Sequence, residues 1–215
     1  EEMARLFREV MSACLALEQP MNIAYLGPPG TFTQAAALKH FGHSIKTVSL
    51  ASIPDVFREV ESGAAHYGVV PVENSTEGVI NHTLDMFIQS PLFICGEVSM
   101  RIHHHLLTLE SDLNAVIKVF SHQQSLAQCR LWLDRRLPHA EQVTVGINAE
   151  AAKLAKSESG AAAIAGEMAA ELYQLKGLAR NIEDEPDNTT RFLVIGRQRA
   201  YPSGDDKTTF LCATR

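Results

Sequence analysis

The stretch NIAYLGPPGTFTQAAALKHF, Asn22 to Phe41, sets a short apolar run against a helical stretch, with a glycine- and proline-rich turn between them. Strand, turn and helix in that order form the unit from which parallel α/β sheets are built. The turn, Gly27-Pro28-Pro29-Gly30-Thr31, opens like a phosphate-binding loop, but Phe32, Thr33 and Gln34 stand where such a loop has glycine, lysine and a serine or threonine. Two readings follow. The segment is a plain structural turn, or its backbone N–H groups and small hydroxyls face an anion without a lysine.

Outward from this unit the alternation repeats. "IKTVSL" precedes a helix over Ser52 to Glu61, and "YGVVPV" precedes one over Gly78 to Gln89. After "LFICGEVSMRI" it restarts: "VIKVFSH" and a helix over Ser125 to Arg136, "QVTVGI" and a helix over Ala149 to Ser157, "AAAIA" and a helix over Glu167 to Gln174. The expected fold class is α/β, in two lobes with mainly parallel sheets. "TRFLVIGRQ" supplies a late strand, and "KTTFLCAT", beyond a break at Tyr201 to Asp206, reads as a strand of another domain. Met3 to Pro20 reads as a helix with Leu6, Val10, Met11, Cys14 and Leu17 on one face, cut from something larger.

With 215 residues, 46% hydrophobic and 20% charged, the chain can bury one sizeable core or two small ones. A formal net charge of -6 and the lack of a long basic block argue against nucleic acid, while a small organic anion remains compatible. No apolar run approaches the roughly 20 residues of a membrane-spanning helix, and Glu1 to Pro20 lacks the pattern of a secretory signal. Cys14, Cys95, Cys129 and Cys212 form no C-x-x-C pair and read as reduced thiols of a cytoplasmic protein. On that reading, the glycosylation-type triplets at Asn74, Asn81 and Asn188 carry no meaning.

Ligands of open α/β sheets collect at the carboxyl ends of strands. Glu73-Asn74-Ser75-Thr76 ends one strand in a polar cluster denser than an ordinary turn, although a helix cap is an alternative. "VFSHQQSLAQC" puts Ser121 at another strand end, with Gln124 and Gln128 four apart on one helical face. His103-His104-His105 invites a metal, but strand alternation would turn His104 away from its neighbours, and no third ligand lies nearby in sequence. Arg191, pointing opposite to Thr190, would pair with a substrate or tie down acids of "IEDEPD". The run Glu183 to Asp187 is expected to be a solvated loop.

The ordered series "GPPGTFTQAA", "GVVPVENSTEGVINHTLD", "ICGEV", "SHQQSLAQC", "NAEAAKLA", "AAIAGEMAAELYQL" and "NIEDEPDNTTRFLVIG" resembles prephenate dehydratase from about Asn22 to Arg197. One departure is Gln123, where the family often has proline. The resemblance implies a fold similar to type II periplasmic binding proteins, with an active site in the inter-lobe cleft. Lobe one is expected over about 21–97 plus 182–198, and lobe two over about 98–181. The flanks look like the last helix of a chorismate mutase domain (1–20) and a linker with the first strand of an ACT domain (199–215).

The family converts prephenate to phenylpyruvate with loss of water and CO₂, using neither metal nor organic cofactor. Resemblance puts the donor to the departing hydroxyl at Thr190. It makes Asn74, Ser121 and Gln128 polar substrate contacts, with Glu73 and Ser75 beside them. Thr31 and neighbouring N–H groups are then the candidates for holding a carboxylate, which decides the reading of the opening loop. The implied partners are prephenate and further copies of the chain, as a homodimer or larger homo-oligomer, with neither nucleic acid nor membrane. Two other readings are a periplasmic solute-binding module and a regulatory or mutase fragment. The missing export signal and the "TRF" after an Asn/Thr run favour the enzyme. With both flanks partial, it is expected to leave chorismate unchanged and to ignore phenylalanine.

Overall fold

A computed structural model describes residues 2–204 and 206–210. The chain divides into two compact units: unit 1 holds the chain up to Leu26, Ala37–Ser99 and the part from Arg191 onward, and unit 2 holds Gly27–Ala36 and Met100–Thr190.

Unit 1 contains helix α1 (Glu2–Glu18), strand β1 (Asn22–Leu26), half of helix α2 (Phe32–Phe41), β2 (Lys46–Leu50), α3 (Ile53–Glu61), β3 (Tyr67–Asn74), β4 (Gly78–Val79), α4 (Asn81–Gln89) and most of β5 (Phe93–Arg101). The late strand β11 (Thr189–Gly196) completes its sheet, in the order β2-β1-β3-β11-β5, with β4 antiparallel on β3. Helix α3 shows how the sequence builds this unit. Ser52 caps it, its Oγ accepting from the Asp55 N–H at 3.3 Å, and a proline follows in the first turn. Ile53, Val56, Phe57 and Val60 recur at helical spacing and are all buried, against Ala24, Val70, Val72, Leu193 and Ile195 of the sheet. Each such side chain contributes about 1.5–3 kcal/mol on burial.

Unit 2 contains β6 (His105–Thr108), β7 (Lys118–His122), α5 (Gln123–Gln128), α6 (Arg130–Arg136), β8 (Glu141–Val145), α7 (Asn148–Ser157), β9 (Ala161–Ala165), α8 (Glu167–Tyr173) and β10 (Lys176–Ala179). Its sheet runs β10-β6-β9-β7-β8; β7 is parallel to β8 and β9, whereas β6 is antiparallel to β9 and β10. Both sheets are therefore mixed. Strand β9, AAAIA, is buried throughout, and Ala151, Ala152 and Ala155 of α7 share one core cluster with its Ala161, Ala163 and Ala165. Small side chains on both surfaces let helix and sheet approach closely.

Several expected elements are placed differently. The single helix expected over Ser125 to Arg136 is two, parted at Cys129 (φ -116, ψ 15). Asp184 causes the break: its carboxylate accepts from the N–H groups of Leu131 (2.9 Å) and Trp132 (3.3 Å), while its own N–H donates to the Gln128 carbonyl at 2.7 Å. Tertiary bonds thus replace helical ones at the junction. Gly78 and Val79 pair with Asn74 and Glu73, so α4 begins only at Asn81; Gly78, at φ +83, takes the left-handed conformation this turn requires. Lys207 to Phe210 form no strand, and the rest of "KTTFLCAT" lies outside the described residues.

The units also divide the chain differently from the lobes expected. Gly27–Ala36 joins unit 2 because Phe32 sets its ring edge-on to His104, with centroids 5.8 Å apart, and Gly30 approaches Ala149, Ala169 and Leu172. Residues 182–190 join it through bonds of Glu183 and Asp184 described below. Helix α1 attaches by its polar side, where Glu9 binds His43 and the buried Ser12 accepts from the Ser44 N–H, so Leu6, Val10, Met11 and Leu17 stay exposed.

Candidate active site

In unit 1 the candidate residues gather on three neighbouring strands, β3, β11 and β5. Arg191, on the middle strand, donates from Nε and Nη2 to Glu73 Oε2 (3.2 and 2.9 Å) and from Nη1 to Glu97 Oε2 (3.1 Å). Lys207 Nζ takes the other Glu97 oxygen at 2.7 Å. The bond from Lys207 holds the Glu97 carboxyl below its ordinary range; burial opposes this and Arg191 adds to it. For Arg191 burial works against the charge, and the bonds to Glu97 and Glu73 outweigh it, raising the guanidinium. The partners of Arg191 are thus Glu73 and Glu97, neither of them in "IEDEPD". Side chains of Arg191 and Glu73 remain 40% and 45% exposed, within reach of a ligand. Asn74 Oδ1 accepts from the N–H groups of Thr76 and Glu77, at 2.9 and 3.2 Å. It closes the turn into β4, a local job close to the capping alternative. Ser75 is exposed on that turn.

In unit 2, Ser121 lies one residue before the end of β7, with 0% exposure. Its one hydroxyl hydrogen lies between Asn148 Oδ1 and the Ile164 carbonyl, both at 2.9 Å. Asn148 also accepts from the His122 N–H (2.9 Å) and donates from Nδ2 to Ser125 Oγ (2.8 Å). One amide therefore ties the end of β7 to the first turns of α5 and α7. Gln128, at the end of α5, accepts at Oε1 from His104 Nε2 over 2.8 Å, and its Nε2 is buried with no partner. Burial keeps the His104 ring below the ordinary histidine range and therefore neutral at pH 7.

The acidic segment is only partly solvated. Glu183, with its side chain 2% exposed, binds His103 Nδ1 at 2.7 Å and the His104 N–H at 2.9 Å. Glu185 and Asp187 are exposed as expected. His103 and His104 lie outside any strand, so alternation does not govern them; each is positioned by Glu183. Among the described residues no three His, Cys, Asp or Glu side chains converge in the manner of metal ligands, and no helix is long and apolar enough to cross a membrane.

Thr31 precedes α2, and the loop before it is partly closed on itself: the Gly30 N–H donates to Gln34 Oε1 at 2.7 Å. That removes one of the N–H groups assigned to an anion. Thr190 lies at the start of β11, 8% exposed. The structure thus joins Glu73 to Arg191, and it gives Ser121 and Gln128 separate neighbours. Asn148, His104, Glu183 and Glu97 were not recognised from sequence as site residues. The only signals for them were an asparagine opening "NAEAAKLA", a histidine within a triplet, and acids in runs read as surface or strand.

The family model for prephenate dehydratase matches residues 23–200, which include every candidate residue named above. A bifunctional chorismate mutase/prephenate dehydratase of Stutzerimonas stutzeri is 61% identical over 216 residues, covering 100% of this chain and 59% of that protein. The chain thus spans about six tenths of the length of such relatives. Among solved structures, a prephenate dehydratase from Arthrobacter aurescens in complex with L-Phe superposes with a TM-score of 0.77 at 31% identity, covering 87% of this chain and 63% of the other. GqqA, described as a quorum quenching acylase, gives a TM-score of 0.75 at 28% identity over 84% of this chain and 65% of its own. From the glycine loop at Gly27 to the Thr190-Arg191-Phe192 strand, the chain belongs to the prephenate dehydratase family.

Proposed function

We propose that this chain converts prephenate to phenylpyruvate, releasing water and CO₂. The observation that carries the reading is the family match over residues 23–200, into which every candidate site residue falls. Aromatisation drives the reaction, and the barrier lies in making hydroxide a tolerable leaving group. The requirement is for a hydrogen-bond donor at the departing oxygen and donors for the carboxylate that stays. Thr190 is the donor to the departing hydroxyl; a threonine is a weak acid, so it acts as a positioned donor. Gln128 offers an amide N–H pair from a buried position, and Thr31 with the N–H groups beside it holds a carboxylate. Glu73, Asn74 and Ser75 supply further polar contacts. Arg191 acts by fixing Glu73, and Ser121 by fixing Asn148.

An acylase reading would require an activated nucleophile. The Ser121 hydroxyl instead points its hydrogen at an amide oxygen and a backbone carbonyl, neither of which is a base. The test is incubation with prephenate and measurement of phenylpyruvate and CO₂ in equal amounts; folded protein that yields neither would overturn the reading. The same reading makes the enzyme cytoplasmic and a homo-oligomer, and sedimentation tests the assembly. It assigns residues 1–20 to a chorismate mutase helix, in keeping with the bifunctional name of the relative, and residues 199–215 to the start of an ACT domain.

A further inference from the structure

Among the described residues, the buried side-chain polar atoms without a hydrogen-bond partner are His104 Nδ1 and Gln128 Nε2, and they belong to two side chains bonded to each other. Gln128 Oε1 carries no hydrogen, so the ring must bring one to the 2.8 Å contact at Nε2. With the ring only 2% exposed and burial disfavouring its charged form, it holds a single proton. Nδ1 is then a bare lone pair, and the unmet demand falls on the Gln128 amide, which has two N–H groups and nothing to receive them. Buried donors left in this state are costly, and they persist where a ligand supplies the acceptor.

The other tautomer would reverse the carboxamide. A ring protonated at Nδ1 would accept at Nε2 from the amide nitrogen, leaving the amide oxygen facing the ligand. That oxygen would repel a carboxylate. The surroundings hold the pair firmly. His104 donates its backbone N–H to Glu183 Oε2 (2.9 Å), its carbonyl accepts from the Ile182 N–H (2.9 Å), and Phe32 meets its ring edge-on. One residue further on, the Asp184 N–H binds the Gln128 carbonyl at 2.7 Å. The segment Ile182–Asp184 therefore grips the backbones of both partners.

We propose that His104 is a positioning residue for the dehydration: its Nε2–H orients the Gln128 carboxamide so that the amide nitrogen, and not the oxygen, is presented to an oxygen of the anionic substrate. This rests on the dehydratase reading above. His104 itself touches no substrate.

The experiment combines a double-mutant cycle with a tautomer measurement. His104→Phe keeps a buried ring and removes the N–H; His104→Gln returns an N–H near the position of Nε2. The expected results are a loss of roughly tenfold to a hundredfold in kcat/KM for His104→Phe, and recovery of most of it in His104→Gln. In a Gln128→Ala background, His104→Phe should change kcat/KM by less than about twofold. Nitrogen-15 spectra of the unmodified protein should show His104 protonated at Nε2. Equal losses in both backgrounds, or an Nδ1–H ring, overturn the proposal while leaving prephenate turnover by the unmodified protein intact. Absence of that turnover instead defeats the dehydratase reading, and this proposal with it. Should His104→Phe fail to fold, the ring tautomer and the activity of His104→Gln decide.

Discussion

Replacing Asn148 by alanine should loosen the frame of unit 2 by a measurable amount. The amide accepts from Ser121 Oγ and the His122 N–H and donates to Ser125 Oγ, at 2.8–2.9 Å. The three partners fare differently once it is gone. Ser121 keeps the Ile164 carbonyl, so its loss is small. Ser125, also buried, loses a donor at its oxygen, and the part-buried His122 N–H loses its acceptor. At about 1 kcal/mol for the Ser125 bond and about 1–3 kcal/mol for a stranded N–H, Asn148→Ala should destabilise by roughly 2–4 kcal/mol. Ser121→Ala leaves Asn148 bonded to His122 and Ser125 and should cost about 1 kcal/mol. Urea unfolding of the three proteins, at matched slope, measures the difference. Because α5 carries Gln128 from this junction, kcat/KM for prephenate should fall in Asn148→Ala as well. Unchanged stability together with a large loss of activity would refute the reasoning, since Asn148 would then act on the substrate directly.

Three further outcomes are expected. Thr190→Ala should lower kcat by roughly 10²–10³ and leave KM nearly unchanged, because the donor is needed mainly in the transition state; near-normal kcat would remove Thr190 from the mechanism. For Glu183, burial raises the carboxyl pKa, but the bonds from His103 and from the His104 and Glu183 N–H groups outweigh it, leaving the group below the ordinary glutamate range. The stabilisation is therefore present at neutral pH and lost as pH falls through the folded-state value, so Glu183→Gln should be less stable at pH 7 and match the parent in acid; a stability gap independent of pH would contradict this. Burial pushes the Cys129 thiol up, with the Glu183 and Asp184 carboxylates adding to the effect, so Cys129 should resist a thiol reagent until unfolding while the exposed Cys14 reacts at once; fast modification of Cys129 in the native protein would contradict the burial.

The periodicity of strand and helix was legible in the sequence because it is local: helix α3 carries its cap, its proline and its apolar face within Ser52–Glu61. The break at Cys129 was not, because Asp184 imposes it from 53 residues away in its bond to Leu131. The site divides along the same line. Ser121 and Gln128 stand at a strand end and on the helix after it, a context visible in the sequence. His104, Asn148 and Glu183 matter through the partners they hold, and partner choice is settled by packing. The histidine triplet misled for a related reason: it looks like a strand or a metal motif, whereas Glu183 draws His103 and the His104 backbone out of any regular pattern.

The closed turn at Gly30 bears on how such a site behaves amid the solutes of a cell. Inorganic phosphate and nucleotides far outnumber most biosynthetic intermediates, and a loop of open N–H groups with a lysine would bind them indiscriminately. Here the Gln34 carboxamide already occupies the Gly30 N–H, and threonine stands where the lysine would be. A tetrahedral dianion calls for many donors, whereas a flat carboxylate needs only one or two. On the proposed reading, in which this loop holds a substrate carboxylate, it would discriminate against phosphate by what it withholds, and phosphate at physiological concentration should not inhibit prephenate turnover.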